Sequence, residues 1–135
     1  MVIYLDTSAL VKQIRAEAES VALADWLDAR SEIPCISSSL VEVELPRAIR
    51  AVAPEGLQAV PTVLARLNRF EIDSLIRATA AAYDDPRLRS LDAIHLATAQ
   101  VASTNAPLAA FVVYDKRLAL AARELGLPIT TPGQD

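Results

Sequence analysis

The amino-acid sequence predicts an α/β fold with a mainly parallel central sheet of about five strands. Short apolar segments rich in β-branched residues alternate along the chain with longer segments of helical periodicity, which is typical of strands joined by helical crossovers. The composition of 25 Ala and 18 Leu against 3 Gly favours helices over an all-β fold with many glycine turns. The length of 135 residues is that of an average domain, so we expect one domain spanning residues 1–135.

Five short segments are predicted as strands. The two clearest are apolar runs that lead into an aspartate, one into Asp6 and the other into Asp115. A third contains Pro34, which cannot donate to a β-ladder and is therefore expected at the start of its strand or on an edge. In chain order, the predicted strands are residues 2–5, 33–37, 70–72, 109–114 and 127–131.

Helices are predicted between these strands. The clearest has an apolar stripe from Leu118 to Leu125, followed by Gly126 and Pro128 as a stop signal. Pro46 lies inside another helical segment, where the missing backbone donor predicts a kink or a restart. In chain order, the predicted helices cover residues 8–14, a segment from Ser20, then 40–52, 57–67, 75–83, 91–103 and 118–125, with Ser20, Ser74 and Ser90 as expected N-caps.

The composition and the charge exclude several classes of protein. Hydrophobic residues make up 53% of the chain and charged residues 22%, which excludes an intrinsically disordered chain. The single Cys and the single His exclude an intrachain disulfide, a cysteine-based zinc site and a histidine-rich metal site. A net charge of −4 argues against a protein that coats nucleic acid, so any contact with nucleic acid would be local and would involve a bound cation.

Two features of the sequence bear on its location. No apolar run reaches the roughly 20 residues that a membrane span needs, and the first residues lack the basic start of a signal peptide. We therefore expect a cytoplasmic protein without a membrane segment, in which Cys35 is a reduced thiol.

Acidic side chains are predicted to gather at one edge of the sheet. Asp6 and Asp115 each follow a strand, and the carboxyl ends of parallel strands share the pole at which open α/β sheets bind ligands. Asp92 lies in the first turn of a helix that is expected to start beside this pole. Glu42 and Glu44 lie on the helix after the second strand, but they are two residues apart and cannot both face the crevice.

A cluster of carboxylates predicts a bound cation. Carboxylates that converge without matching lysines or arginines repel one another, so either their pKa values rise or a cation lies among them. Oxygen ligands select a hard cation such as Mg²⁺ or Mn²⁺. A water on such a cation can be deprotonated and directed at phosphorus. The acids therefore point to metal-dependent hydrolysis of phosphodiester bonds, with no need for a Ser, Cys or His nucleophile.

Other polar residues near these acids have more than one interpretation. His95 lies three residues after Asp92, so it is interpreted either as a partner of Asp92 or, preferably, as a core histidine bonded to the backbone. Arg47 and Arg117 lie close in sequence to two of the acids and are candidates for phosphate contacts or for solvated surface residues. Asp73 is interpreted as a turn or cap residue.

Five segments resemble those of PIN-domain ribonucleases, and in particular the VapC branch of that family. Residues 5–11 read LDTSALV, with an aspartate at a strand end and hydroxyl groups after it. Residues 90–99, SLDAIHLATA, are the most specific segment, and residues 38–45, SSLVEVEL, match the segment that carries an acidic residue of the family. Residues 113–118 and 125–128, which read VYDKRL and LGLP, complete a resemblance that spans essentially the whole chain.

This resemblance implies the PIN α/β/α sandwich with a parallel sheet and an acidic site. Asp6 and Asp92 would be the surest metal ligands, Glu42 would be a surface neighbour, and Thr7 or Ser8 would help to orient the site. The implied quartet that binds Mg²⁺ or Mn²⁺ consists of Asp6, Glu44, Asp92 and Asp115.

The resemblance also implies a function and partners. The protein would be the toxin of a VapBC toxin–antitoxin pair. It would be an endoribonuclease, with structured RNA such as tRNA or rRNA among its candidate substrates. A cognate VapB-type antitoxin would inhibit it by covering the site, and the chain would form a homodimer through its helices. Pro46 is one departure, because the family usually has a helix-compatible apolar residue after the Glu-Leu pair.

Three alternatives remain beside this interpretation. A PIN domain could act in RNA processing, or it could serve as a binding module that does not cleave. A receiver-type signalling domain also gathers acids at the carboxyl pole of a parallel sheet, with Asp73 as the phosphoacceptor and Lys116 as its lysine. The receiver is disfavoured because no acidic pair ends the first strand and no proline follows Lys116.

Overall fold

The computed structural model describes residues 1–134, which contain one five-stranded sheet. All strand pairs are parallel, and the strand order is β3-β2-β1-β4-β5. The predicted α/β class with a mainly parallel sheet of about five strands is therefore confirmed. The strands are β1 Val2–Leu5, β2 Cys35–Ser38, β3 Asn68–Phe70, β4 Leu108–Val112 and β5 Ile129–Thr130.

The strand order places a switch point beside the central strand. The chain moves outward from β1 to β2 and β3, then returns to the other side of β1 for β4 and β5. In the register, Tyr4 of β1 lies between Ile36 of β2 and Phe111 of β4. A crevice forms outside the carboxyl ends of the strands where the order reverses, which is here the gap between β1 and β4.

Seven α-helices and one 3₁₀ helix lie in the described part of the chain. The 3₁₀ helix is Pro54–Ala59 and leads directly into α4. The α-helices are α1 Thr7–Lys12, α2 Ser20–Asp28, α3 Val41–Val52, α4 Val60–Ala65, α5 Ser74–Ala82, α6 Ser90–Ala102 and α7 Lys116–Glu124. None of these helices is both long enough and apolar enough to cross a bilayer.

The sheet is buried on both faces. Alternate residues of β1 point to opposite sides, because successive side chains of a strand alternate. Ile3 packs in a cluster with residues of α1 to α4, including Leu45 of α3, whereas Tyr4 packs in a second cluster with residues of α6 and α7, including Leu96. The result is the α/β/α sandwich that the resemblance implied.

Several predicted boundaries are wrong by a few residues. β3 covers Asn68–Phe70 and not residues 70–72, and β5 has only the two residues Ile129–Thr130. Both strands are at the edges of the sheet, where one side has no neighbour to define the strand. The edge strands therefore had the weakest pattern in the sequence.

The predicted serine caps are also corrected. The N-caps of α2, α5 and α6 are Glu19, Asp73 and Arg89, and each predicted serine is the first residue of its helix. Asp73 caps α5 because its carboxylate accepts a hydrogen bond from the backbone N–H of Ile76, at 2.9 Å. The interpretation of Asp73 as a turn or cap residue is thus confirmed.

Of the kink or restart predicted at Pro46, the restart is wrong. α3 runs without interruption from Val41 to Val52 and includes Pro46. Leu45 and Ile49, on either side of the proline, are fully buried in the core against the sheet. Packing of this apolar face offsets the missing backbone hydrogen bond and keeps the two halves of the helix together.

Candidate active site

Asp6 is held in a fixed position at the end of β1. It is the N-cap of α1, is only 4% exposed, and accepts hydrogen bonds from the Ala9 N–H at 3.3 Å and from the Ser8 hydroxyl at 2.5 Å. The Ser8 hydroxyl also accepts a bond from the Tyr114 N–H at 3.0 Å. Ser8 therefore connects Asp6 to the chain just after β4, across the switch point.

Asp115 occupies the equivalent place beyond β4. It is exposed and is the N-cap of α7, with its carboxylate accepting a bond from the Leu118 N–H at 2.9 Å. Two of the predicted acids are thus N-caps of helices that begin at the carboxyl ends of neighbouring strands. A carboxylate is favoured at such a place by the free N–H groups and the helix dipole.

Glu44 is oriented by two side chains from other elements. Its Oε1 accepts a hydrogen bond from the Thr7 hydroxyl at 2.6 Å and lies 2.7 Å from Nε2 of His95. Glu42 points elsewhere and forms a surface ion pair with Arg69 at 3.2 Å. The structure thus directs Glu44, and not Glu42, toward the other acids, as the sequence analysis expected.

His95 has partners that the sequence analysis missed. It is 2% exposed, and its ring nitrogens lie against Glu44 and against the Tyr4 hydroxyl, with Nδ1 at 2.7 Å from the latter. His95 is a buried core residue, as preferred, but its partners are side chains and not the backbone. The alternative partner, Asp92, forms no hydrogen bond with it among the described residues. Sequence spacing indicates neighbours on one helix only, whereas both partners of His95 lie on other elements.

A cleft of about 620 Å³ opens above these residues. Three of the acids line it, while the buried Asp6 lies behind them. Three exposed basic residues also line it, and of these only Arg117 was predicted from the sequence as a phosphate contact. Arg47 is exposed and is not among the lining residues. The complete lining is Glu44, Arg89, Ser90, Leu91, Asp92, Asp115, Lys116 and Arg117.

The pKa shifts indicate that the acids act on one another. Burial raises the pKa of Asp6 from 3.8 to about 6, with repulsion from Asp115 adding to the rise, although His95 and the bonds from Ser8 and Ala9 oppose it. Burial also raises the pKa of Asp92, helped by repulsion from Asp115 and Glu44. The acidic side chains therefore share one electrostatic environment.

The pKa of Glu44 shifts in the opposite direction. Burial alone would raise the pKa of Glu44, but the hydrogen bonds from His95 and Thr7 outweigh it, so that the pKa is lowered. A carboxylate that stays ionised beside others with raised pKa values makes the site more negative. Such a site favours a cation over an additional anionic group.

The donor chemistry of this site fits a hard divalent cation. All four acids offer oxygen ligands; three of them line the cleft together with the basic residues, and Asp6 is buried. Among residues 1–134, however, no group of three or more Asp, Glu, His or Cys side chains stands ready to hold a metal ion. The acids are therefore gathered at one pole without forming a closed coordination shell.

Comparison with known proteins identifies the family. Residues 3–124 match the family model of the PIN domain. The chain is also 69% identical, over 98% of its own length and 98% of the relative's, to Ribonuclease VapC35 of Mycobacterium tuberculosis. This chain is a PIN domain of the VapC family. The resemblance inferred from the five sequence segments is confirmed.

Solved structures agree on the PIN fold. The crystal structure of VapBC2 from Rickettsia felis bound to a promoter DNA fragment matches 98% of this chain and 99% of its own chain, with a TM-score of 0.69 and 14% identity. The crystal structure of Mycobacterium tuberculosis VapC20, named a Sarcin-Ricin loop cleaving toxin, matches 88% of this chain and 94% of its own, with a TM-score of 0.65 and 16% identity. At these identities, the matches establish the fold of this VapC-family PIN domain.

Proposed function

We propose that this VapC-family protein is a metal-dependent endoribonuclease and the toxin of a VapBC toxin–antitoxin pair. The observation that carries the proposal is the gathering of four carboxylates at the carboxyl pole of the sheet, three of them in an open cleft that basic residues also line. The name of the 69% identical relative, Ribonuclease VapC35, supports the same activity.

Asp6 and Asp92 would hold the cation, assisted by Glu44 and Asp115. When bound, Mg²⁺ or Mn²⁺ supplies an acidic water for attack on phosphorus and positive charge for the phosphate oxygens. The shifts in pKa support this assignment, because Asp6 and Asp92 are the acids whose charged forms most lack compensation. A divalent cation would offset their repulsion.

Residues around the acids would keep them in place. Ser8 and the Ala9 N–H hold one oxygen of Asp6, and Thr7 and His95 hold one oxygen of Glu44. Because these bonds already restrict both carboxylates, little side-chain freedom would be lost when a cation binds. Thr7 and Ser8 would thus have the supporting role that the family resemblance implies.

The basic rim of the cleft would hold the RNA backbone. Arg117, Lys116 and Arg89 are exposed beside the acids, where they can contact phosphate oxygens on either side of the scissile bond. Arg47 is exposed outside the cleft and would contact phosphates further along the strand. A net charge of −4 limits binding to this local surface, which favours an exposed loop of a structured RNA such as tRNA or rRNA.

A VapB-type antitoxin and a second copy of the chain are the partners we propose. The solved VapBC2 complex, which shares this fold, supports an antitoxin partner. We also propose a cytoplasmic location, where the RNA substrate would be found. The homodimer follows from the family resemblance.

Induced expression in a bacterial host tests the function. We expect the wild type to arrest growth and to produce discrete RNA fragments, whereas Asp92→Asn at the same soluble level does neither. Co-expression of the cognate antitoxin should relieve the arrest. Sustained growth with intact RNA in the presence of soluble wild-type protein would contradict the proposal and leave a PIN domain that binds without cleaving.

A further inference from the structure

The inference concerns the buried side chains behind Glu44, and it rests on the proposed metal site. We propose that Tyr4 and His95 are positioning residues that hold Oε1 of Glu44 and leave Oε2 as the oxygen presented to the cation. They form a chain of hydrogen bonds from the core of the sheet to the cleft. Tyr4 lies on β1, His95 on α6 and Glu44 on α3.

The direction of the bonds follows from the donors that are present. An ionised carboxylate only accepts, so Nε2 of His95 carries a proton and donates it to Oε1 at 2.7 Å. A tyrosine hydroxyl keeps its proton at neutral pH, so Tyr4 can donate a hydrogen bond to Nδ1, which lies 2.7 Å away. Thr7 completes the arrangement by donating to the same Oε1 at 2.6 Å.

The two bonds to Glu44 both end on one oxygen. Among the side-chain hydrogen bonds of residues 1–134, Oε1 of Glu44 receives those from Thr7 and His95, and Oε2 receives none. Glu44 is half-buried and lines the cleft. With Oε1 held from behind, Oε2 is the oxygen left for a ligand in the cleft.

The ring of His95 is fixed by packing as well as by hydrogen bonds. The rings of Tyr4 and His95 meet edge to face, with centroids 5.9 Å apart and planes at 84°. Tyr4 is itself stacked on Phe111 of β4, at 5.1 Å and 3°. Since these aromatic rings lie in the centre of the sheet, the orientation of Glu44 is coupled to the most buried part of the fold. Partners behind a metal ligand typically change metal affinity about 10–100-fold when removed.

The first test uses the fact that the chain has one His, so that its imidazole signals need no assignment. In metal-free protein, ¹⁵N NMR should report a proton on Nε2, and Glu44→Gln should shift the Nε2 signal. Tyr4→Phe should shift the Nδ1 signal, and Asp92→Asn should leave both unchanged. An Nε2 signal that moves with Asp92→Asn and not with Glu44→Gln would overturn the inference.

The second test measures the affinity for Mn²⁺ by calorimetry. His95→Ala should weaken binding about tenfold or more, while His95→Gln, whose amide N–H can replace the Nε2 donor, should retain most of it. Tyr4→Phe should weaken binding to a smaller extent. Tyr83→Phe is the matched control. It removes a hydroxyl that is bonded to Gln100, which lies on α6 as His95 does, and it should leave the Mn²⁺ affinity unchanged.

Three outcomes separate this inference from the proposed function. Wild-type affinity in His95→Ala would overturn the positioning role. An equal loss of Mn²⁺ affinity in His95→Gln and His95→Ala would also overturn it, because the packing of the ring and not its Nε2 donor would then matter. A wild type that binds no Mn²⁺ would overturn the proposed metal site and the role of Oε2 with it, whereas the NMR test addresses the Tyr4, His95 and Glu44 bonds without any metal.

Discussion

At the scale of single residues, identical side chains have different roles because of what surrounds them. Glu42 and Glu44 are two residues apart on α3, yet one forms a surface pair with Arg69 and the other is bonded by Thr7 and His95. Asp6 and Asp115 both cap helices, but only Asp6 is buried. The environment, and not the residue type, sets the orientation and the partners of each acid.

The contrast between the two glutamates gives a prediction. Glu44→Gln should lower the rate of RNA cleavage by about 100-fold, the scale of losing one electrostatic catalytic group. Glu42→Gln should leave the rate within about twofold, because an exposed ion pair contributes little. Rates of both variants on one RNA substrate at saturating Mg²⁺ provide the measurement. A larger loss in Glu42→Gln would mean that the assigned face of α3 is wrong.

Asp6 gives a prediction about stability. Its pKa in the folded protein, about 6, lies above its ordinary value of 3.8, so the native state binds more protons than the unfolded state between these pH values. Its contribution to stability is therefore fully present below about pH 4 and is lost as the pH rises through 6, at a cost of at most about 3 kcal/mol. Asp6→Asn keeps the accepting oxygen and removes the charge.

Without metal, Asp6→Asn should thus unfold at a higher urea concentration than the wild type at pH 7.5, and the difference should shrink at pH 4. Adding Mg²⁺ should stabilise the wild type and not the variant, because a ligand stabilises only the state that binds it. If metal-free Asp6→Asn were less stable than the wild type at pH 7.5, the result would contradict the raised pKa of Asp6.

At the scale of elements, the site is built from helix starts. Asp6 and Asp115 are the N-caps of α1 and α7, Asp92 lies in the first turn of α6, and Glu44 lies in the first turn of α3. Each helix start provides free N–H groups and a positive dipole end. Parallel strands bring these starts to one pole, so the fold gathers negative charge there with partial compensation from the backbone.

The corrected cap of α5 gives a prediction at this scale. Asp73→Ala should destabilise the protein by about 1 kcal/mol, because it removes the acceptor of the Ile76 N–H. Ser74→Ala is the control, since Ser74 is the first residue of α5 and not its cap, and it should change stability by no more than about 0.5 kcal/mol. Urea unfolding measures both. An equal or larger loss in Ser74→Ala would restore the serine as the cap.

The elements also explain how much could be predicted from the sequence. β1 has the bounds that were predicted because its apolar run ends sharply at Asp6. The bounds of β3 were predicted wrongly, because Asn68 and Arg69 are exposed edge residues without a strand pattern. The four acids could be placed at one pole from the order of elements alone, whereas the bond between His95 and Glu44 depends on how α6 and α3 approach each other, which no local pattern specifies.

At the scale of the whole molecule, an acidic protein presents a cluster of carboxylates to a proposed anionic substrate. The net charge of −4 and the acids of the site both oppose RNA, whereas three basic residues that line the same cleft favour it. The divalent cation that we propose would resolve this conflict, because it would bind to the carboxylates and offer positive charge to a phosphate. On this account, metal is needed for chemistry and for productive binding of RNA near the site.

Cleavage of total cellular RNA by the purified protein tests this account most directly. The reaction is run with Mg²⁺, with Mn²⁺ and with a chelator, for the wild type and for Asp92→Asn, whose folding is checked by its unfolding transition. We predict discrete fragments with the wild type and either metal, none with the chelator, and none with Asp92→Asn. Fragments that persist in the chelator, or that Asp92→Asn produces at the wild-type rate, would contradict a metal site built from these acids.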